Sequence, residues 1–251
     1  MNYRAVILFF LISFSYATAV RADSLLPASV TEQWTPVPPV ITSPAGGVPS
    51  DAVILFDGKN ADAWAPVMPG SKGWQVADGA LVIVPKSGFL RTKASFGDIQ
   101  LHIEFREPAE VQGHGQGRGN SGVFFMGLYE LQVLDSYHNP TYVNGQAASI
   151  YKQYAPLVNT CRPPGEWQSY DAVFIAPRFG PDGALLSPAR ATVFHNGVLV
   201  LYDVALKGPT AYRGYPHYTP HPACLPLQLQ DHGDKVAFRN IWVRELHLSS
   251  P

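Results

Sequence analysis

The feature that most restricts what this chain can fold into is a period of two, carried by one segment after another and punctuated by turn dipeptides. From Ile99 to Glu107 the apolar Ile99, Leu101, Ile103 and Phe105 alternate with Gln100, His102, Glu104 and Arg106. An extended backbone puts the first set on one face and the second on the other. The stretch 73–92 reads as two strands about Asp78-Gly79, and 189–206 as two strands about Asn196-Gly197. Both dipeptides tolerate the positive φ that a two-residue hairpin loop requires. Val53–Phe56, Glu166–Pro177 and Val236–Leu246 add further strands, and no segment keeps a helical period beyond a turn or two. With 22 Gly, 23 Pro, 12 Tyr and 13 Phe in 251 residues, the composition also favours strands and turns. The expected fold is all-β: one domain over 51–251, a two-sheet antiparallel jelly-roll sandwich, with helix confined to loops.

The ends of the chain read differently. Arg4 precedes an apolar run, Val6–Phe14, too short to span a bilayer comfortably, and small residues follow at Ala17, Ala19 and Ala22. Residues 1–22 are therefore expected to be a signal peptide, and the mature protein periplasmic or secreted, without stable membrane insertion. Residues 23–50 contain Pro27, Pro36, Pro38, Pro39, Pro44, Pro49 and the pair Gly46-Gly47 without periodicity, which predicts an extended leader. Of 18 basic and 19 acidic residues, Arg4 and Arg21 lie in the expected signal peptide, so the remainder is mildly acidic. No basic cluster points to nucleic acid and no basic amphipathic helix to a membrane surface.

Two cysteines, Cys161 and Cys224, sit in Pro-rich loops. In an oxidising compartment a disulfide between them would close roughly 60 residues, worth ~4 kcal/mol in the chain-entropy view; the other reading is two free thiols. No Cys/His spacing suggests structural zinc.

The candidate site lies in Gly119–Ser136. An apolar run, Val123–Met126, is followed by a turn near Gly127 and by a strand, Tyr129–Asp135, in which Tyr129, Leu131 and Val133 alternate with Glu130 and Gln132. Asp135 has the wrong parity to join Glu130 and Gln132 unless the strand bulges by one residue, as strands beside active sites commonly do; with that bulge Glu130, Gln132 and Asp135 are expected to line one surface. The plainer reading is a solvated strand face. Two long irregular segments, 136–164 and 208–226, are expected as walls of a site. The glycine-rich 111–120 lacks the Lys-Ser/Thr helix start of a phosphate loop.

Five segments taken in order, LFDGKNADAW, GNSGVFF with YELQVLDS, CRPPGEWQSYDAVF, ARATVFHNGVLV and LPLQLQDHGDKVAFRNIWVREL, resemble the 3-keto-disaccharide hydrolase family. The resemblance covers about residues 51–247 and implies a concanavalin-like sandwich, a bacterial exported protein and action on oxidised sugars. Glu130-x-Gln132-x-x-Asp135 also resembles, more weakly, the E-x-D-x-x-E strand of laminarinase-type glucanases, whose outer carboxylates are nucleophile and acid/base. Here the central Asp is Gln and the last Glu is Asp, one methylene shorter.

A 3-keto sugar needs a base for the hydrogen at C2, a donor for the enolate and an acid for the leaving oxygen. Glu130 is the candidate base, and His232 or Asp135 the acid or oxyanion partner. Asp135 is equally suited to capping the next loop, and His232 to bonding within its turn. Glu104, Asn120, Gln132, Lys152 and Gln230 are candidates for holding sugar hydroxyls, with a solvated strand face the alternative for Glu104 and His102. Trp64, Trp74, Trp167 and Trp242 suit either sugar stacking or the core. Glu130, Asp135 and a His are of types that can hold a divalent ion, although no ligand spacing in the sequence demands one, and a partner oxidoreductase would make the keto group. A non-catalytic carbohydrate-binding module and a conventional glycoside hydrolase remain open beside the keto-sugar enzyme, because the fold suits all three.

Overall fold

The computed structural model describes residues 26–248; the expected signal peptide lies outside the described residues. The chain divides into compact units at Val40/Ile41. Of the first unit, residues 26–40 carry one 3-10 turn, Ala28–Val30, and exposed side chains. In the second, Thr42 and Ser50 exchange two hydrogen bonds, Thr42 N–H to Ser50 Oγ and Ser50 N–H to Thr42 O, both 3.0 Å. That closed loop folds the last part of the Pro-rich stretch, which had been expected to be extended.

The second unit contains fifteen strands among the described residues: β1 (Val53–Phe56), β2 (Trp64–Pro66), β3 (Gln75–Ala77), β4 (Ala80–Val82), β5 (Leu90–Thr92), β6 (Ile99–Arg106), β7 (Ser121–Phe125), β8 (Tyr129–Val133), β9 (Gln168–Ile175), β10 (Arg178–Phe179), β11 (Leu185–Ser187), β12 (Arg190–His195), β13 (Val198–Ala205), β14 (Gln228–Leu229) and β15 (Ala237–Glu245). One sheet runs β13-β12-β9-β6-β15-β4-β3 with β1 paired to β15, the other β2-β5-β14-β7-β8, and β10 pairs with β11. All pairings are antiparallel. The chain crosses between these two sheets repeatedly, at β1 to β2, β2 to β3, β4 to β5, β5 to β6, β6 to β7, β8 to β9, β13 to β14 and β14 to β15. This is the expected two-sheet antiparallel sandwich.

Its core is the apolar half of the alternation. Ile99, Leu101, Ile103 and Phe105 of β6 are fully buried between half-buried polar neighbours. They meet the inner face of the second sheet through rings: Phe125 of β7 stacks on Phe174 of β9 at 4.6 Å, and Tyr129 of β8 lies 5.5 Å from the same ring. Trp64 and Trp74 are core residues, their indole N–H groups donating to the carbonyls of Leu55 and Gly88 at 2.9 Å. The three-residue β7–β8 loop takes positive φ at Met126 and Gly127, and the β3–β4 and β12–β13 hairpins close with positive φ at both loop residues, Asp78 and Gly79, Asn196 and Gly197. That is the turn whose twist suits a hairpin.

Two sequence expectations are corrected. The pairing of β7 with β8 is regular from Ser121↔Val133 to Phe125↔Tyr129, so β8 has no bulge. β15 does bulge, its register shifting against β6 between Arg239 and Trp242 where Asn240 takes φ 46°. The parity of β15 therefore inverts at Asn240, turning its amide outward to His102 and Glu104. The second correction concerns Cys161 and Cys224, which are free thiols. Each is anchored elsewhere: Cys161 N–H donates to Asn159 Oδ1 at 3.0 Å, and Asn159 Nδ2 in turn to Ser136 O at 2.9 Å, whereas Cys224 lies beside Gly97 and next to the Phe96↔Leu225 bridge.

Candidate functional site

The site is built on the outer face of the five-stranded sheet. Phe124 pairs directly with Glu130 and Gly122 with Gln132, so these four share one face. Pairing of β14 with β7, continued by Gln230 N–H to Gly122 O at 3.0 Å, brings Gln230 and the following His232 to the same place. The outer edge of β8 is covered rather than exposed. Gln132 N–H bonds Ser149 O and Gln132 O accepts from Ala148 N–H, both at 3.0 Å, while Tyr151 N–H donates to Glu130 O at 3.1 Å. Thr210 Oγ1 accepts from Glu130 N–H at 2.9 Å. The edge is thus satisfied by the two irregular segments, and all of β8 is buried.

The result is a cavity of about 360 Å³ lined by Phe89, Asn120, Phe124, Glu130, Gln132, Tyr151, Thr210, Tyr212, Gln230 and His232. It is within the size range of small-molecule sites. Glu130 is 4 % exposed and has no cation beside it; burial lifts its carboxyl to about 8. The opposite strand makes room for it with a glycine, since a Cβ on Gly122 would stand 2.8 Å from Glu130 Oε1. The Gln132 amide lies between two neighbourhoods. In one orientation its nitrogen donates to Gln116 Oε1 at 3.1 Å, and in the other to Glu130 Oε1 at 3.0 Å. The first suits a protonated Glu130, which can donate to the amide oxygen; the second suits the carboxylate. Gln230 Oε1 is buried without a partner, an acceptor that a ligand hydroxyl would satisfy.

The structure thus gathers Glu130, His232, Asn120, Gln132 and Gln230. It leaves three predicted site residues out, Asp135, Glu104 and Lys152. Asp135, 3 % exposed, accepts from Arg118 Nε at 2.6 Å and from Tyr137 N–H at 3.1 Å, and lines a separate cavity with Glu107 and Arg118. It is a cap and an ion-pair partner, because without a bulge its position after β8 turns it away from Glu130. Glu104 lies on the outer face of the other sheet, bonded by Arg239 Nε at 2.6 Å and Asn240 Nδ2 at 2.9 Å. Burial would raise its carboxyl, but those two bonds outweigh it and hold the carboxyl below its ordinary value.

Lys152 stands in the adjoining cavity, following Tyr151. None of Trp64, Trp74, Trp167 and Trp242 lines the Glu130 cavity; its aromatic walls are Phe89, Phe124, Tyr151 and Tyr212. Of the residues not named from sequence, Phe124 was legible from its parity with Gly122, whereas Thr210 and Tyr212 lie in a loop without periodicity. The donor set considered for a divalent ion is not brought together, since Asp135 is engaged by Arg118. Among the described residues no group of three or more His, Cys, Asp and Glu is placed to hold a metal. No described helix is long and apolar enough to cross a membrane.

A β-sandwich with a polar, aromatic-walled cavity around one desolvated carboxyl has the build of a carbohydrate-active enzyme, and comparison with known proteins agrees. Residues 51–244 match the 3-keto-alpha-glucoside-1,2-lyase-like domain, and the chain belongs to that family. A 3-keto-disaccharide hydrolase of Bacteroides thetaiotaomicron is 25% identical over 250 residues, covering 79% of this chain and 81% of that protein. The crystal structure of a "putative glycosyl hydrolase" from Parabacteroides distasonis superposes with a TM-score of 0.83 at 45% identity, over 88% of this chain and 97% of the other. A second structure so described from the same organism shares the fold, with a TM-score of 0.57 at 22% identity over 78% of this chain and 94% of the other.

Proposed function

We propose that this protein cleaves 3-keto-glycosides, oxidised disaccharides or glucosides, by elimination and rehydration at Glu130. The observation that carries the reading is a single buried carboxyl, raised to about 8 and unpaired by any cation, aimed into a sugar-sized cavity. A ketone at C3 acidifies the hydrogen at C2. Glu130 as carboxylate takes that proton, the electron pair moves into the C1–C2 bond, and the C1–O bond breaks to release the aglycone. Water then adds to C1 of the enone while Glu130 returns its proton to C2. One base therefore serves both halves, and its raised pKa makes it a stronger base once ionised. Gln230, Gln132 and His232 line the same cavity as Glu130, and in this reading they supply the partners for the enolate and leaving oxygens.

A retaining glycosidase would need a second carboxyl about 5–5.5 Å away, and Glu130 is the one carboxylate lining this cavity. The keto group would come from a separate oxidoreductase, and export would place the enzyme with extracytoplasmic glycosides.

The test follows aglycone release from matched native and 3-keto glucosides, with C2 hydrogen exchange measured in deuterated water. Wild type should act on the keto substrate alone, with kcat/KM rising with pH through about 8 as Glu130 loses its proton. Glu130→Gln should lose both release and exchange while staying folded. Near wild-type turnover by that variant would remove Glu130 from the mechanism, and cleavage of the native glucoside without exchange would replace the proposal with conventional hydrolysis.

A further inference from the structure

Beside the Glu130 cavity lies a second hollow of about 460 Å³, lined by Tyr142, Asn144, Tyr151, Lys152, Gln153, Lys207, Ala211, Gly214, Tyr215 and Pro216. Tyr151 lines both. Two lysines face this hollow and no carboxylate does, in contrast to its neighbour. The lysines are held by different means. Lys152 takes a left-handed backbone, φ 59°, and donates to Tyr212 O at 2.7 Å while its ammonium lies 4.4 Å over the Tyr212 ring. Two of its three N–H donors remain for a ligand. The Lys207 ammonium lies 5.1 Å over the Tyr154 ring and has no hydrogen-bond acceptor among the described residues.

Flat phenol faces complete the hollow. Tyr142 and Tyr151 are joined by an O–H···O bond of 2.7 Å, and Tyr215 is 94 % exposed. Exposed tyrosine beside unneutralised ammonium groups is a surface for a ring that carries negative charge, because the ring covers the phenol face and the charge meets the cations. Gln153 takes no part in this, since its amide donates to Gly208 O and accepts from Lys207 N–H.

We infer that this hollow is the leaving-group subsite and that it selects aglycones whose ring bears an anionic group, a carboxyaryl or uronic acid ring. The inference rests on the proposed cleavage at Glu130, which puts the sugar in the first cavity and its C1 substituent in the second. Binding and cleavage are measured separately so that the two can fail independently.

Isothermal calorimetry compares 4-carboxyphenyl glucoside with its neutral counterpart, 4-carbamoylphenyl glucoside, on wild type, Glu130→Gln, Lys207→Gln and the Lys152→Gln/Lys207→Gln pair. Wild type and Glu130→Gln should prefer the carboxylate by roughly fivefold, the size of a partly screened ion pair. The preference should shrink in high salt and fall toward one in the double variant. Circular dichroism checks that each variant is folded. The 3-keto derivatives of both glucosides then report kcat/KM, where wild type should show the same preference. Equal binding of the two glucosides by folded wild type, or a preference that survives loss of both lysines, overturns the subsite. A charge preference in binding together with no cleavage of either keto compound overturns the reading of Glu130 instead.

Discussion

Replacing Glu130 by Gln should change how stability depends on pH as well as abolish catalysis. Burial raises the Glu130 carboxyl from 4.5 to about 8 in the folded protein. Between those values the native state holds a proton that the unfolded state has lost, so folding stability falls as pH rises from about 4.5 to about 8 and is level on either side. At 1.36 kcal/mol per pH unit the cost reaches about 5 kcal/mol above the window. The variant lacks this loss, and its amide can donate to the Gln132 oxygen much as the protonated acid does. Wild type and variant should therefore unfold at similar temperatures near pH 4.5 and diverge towards pH 9, with the variant higher. For a domain of this size the gap should reach about 10 °C or more. Thermal unfolding followed by circular dichroism across that range measures the difference, in which every other titrating group cancels. A gap that stays constant with pH would refute the claim that Glu130 is desolvated without a cation.

Three other outcomes follow from the geometry. Glu107→Gln should destabilise by about 1–3 kcal/mol in chemical denaturation near pH 4.5, because the new amide nitrogen would face Gln168 Nε2, which now donates to both Glu107 oxygens at 3.1 and 2.8 Å; the deficit should shrink as pH rises towards 8, since burial lifts the Glu107 carboxyl to about 8 and wild type loses stability over that window. Gly127→Ala should cost more than Gly79→Ala although both have φ near +70°: a Cβ on Gly127 would meet Gln228 Nε2 at 2.4 Å, whereas nothing lies within 4 Å at Gly79. Alkylation of the native protein should label exposed Cys224 quickly and Cys161 slowly, since burial pushes the Cys161 thiol up to about 12; an unreduced protein with no reactive thiol would restore the disulfide.

Much of the fold was legible because local signals suffice for it. The alternation of β6 is complete from Ile99 to Arg106, and Asp78-Gly79 and Asn196-Gly197 close hairpins where their left-handed tolerance predicts. The bulge was placed on the wrong strand because two signals conflict. In Tyr129–Asp135 only the identity of Asp135 argued for one. In β15 the cue was Asn240, an amide at an otherwise apolar parity and of a residue type that accepts positive φ. At the site, Glu130 and Gln132 follow from parity, whereas Gln230 and His232 reach them through the pairing of β14 with β7, across a hundred residues of chain. Thr210 and Tyr212 could not be read at all, since they enter from an aperiodic loop held by isolated contacts, Thr210 to Leu128 O and Glu130 N–H and Tyr212 to Lys152. The free thiols have a related cause: loop composition says that a staple would be useful, but not where each loop is anchored.

A raised pKa does not by itself single out Glu130. Glu107 is as deeply buried, is lifted to the same value of about 8 by the same desolvation, and lines a cavity too. The two differ in what surrounds the oxygens. Both oxygens of Glu107 accept from Gln168 Nε2, and Gln168 is fixed in turn because its Oε1 bonds His195 Nε2 at 2.9 Å and Arg162 N–H at 3.1 Å. His195 is itself kept neutral by burial, its ring lowered to about 4. That chain is closed, and any proton movement within it would leave a buried group unsatisfied. Glu130 has an amide that serves either protonation state, a glycine opposite that leaves it room, and a neighbouring Gln230 oxygen without a partner. A carboxyl that must take a proton from a ligand and give it back requires surroundings that tolerate both of its forms. Of the two buried glutamates, only Glu130 has them.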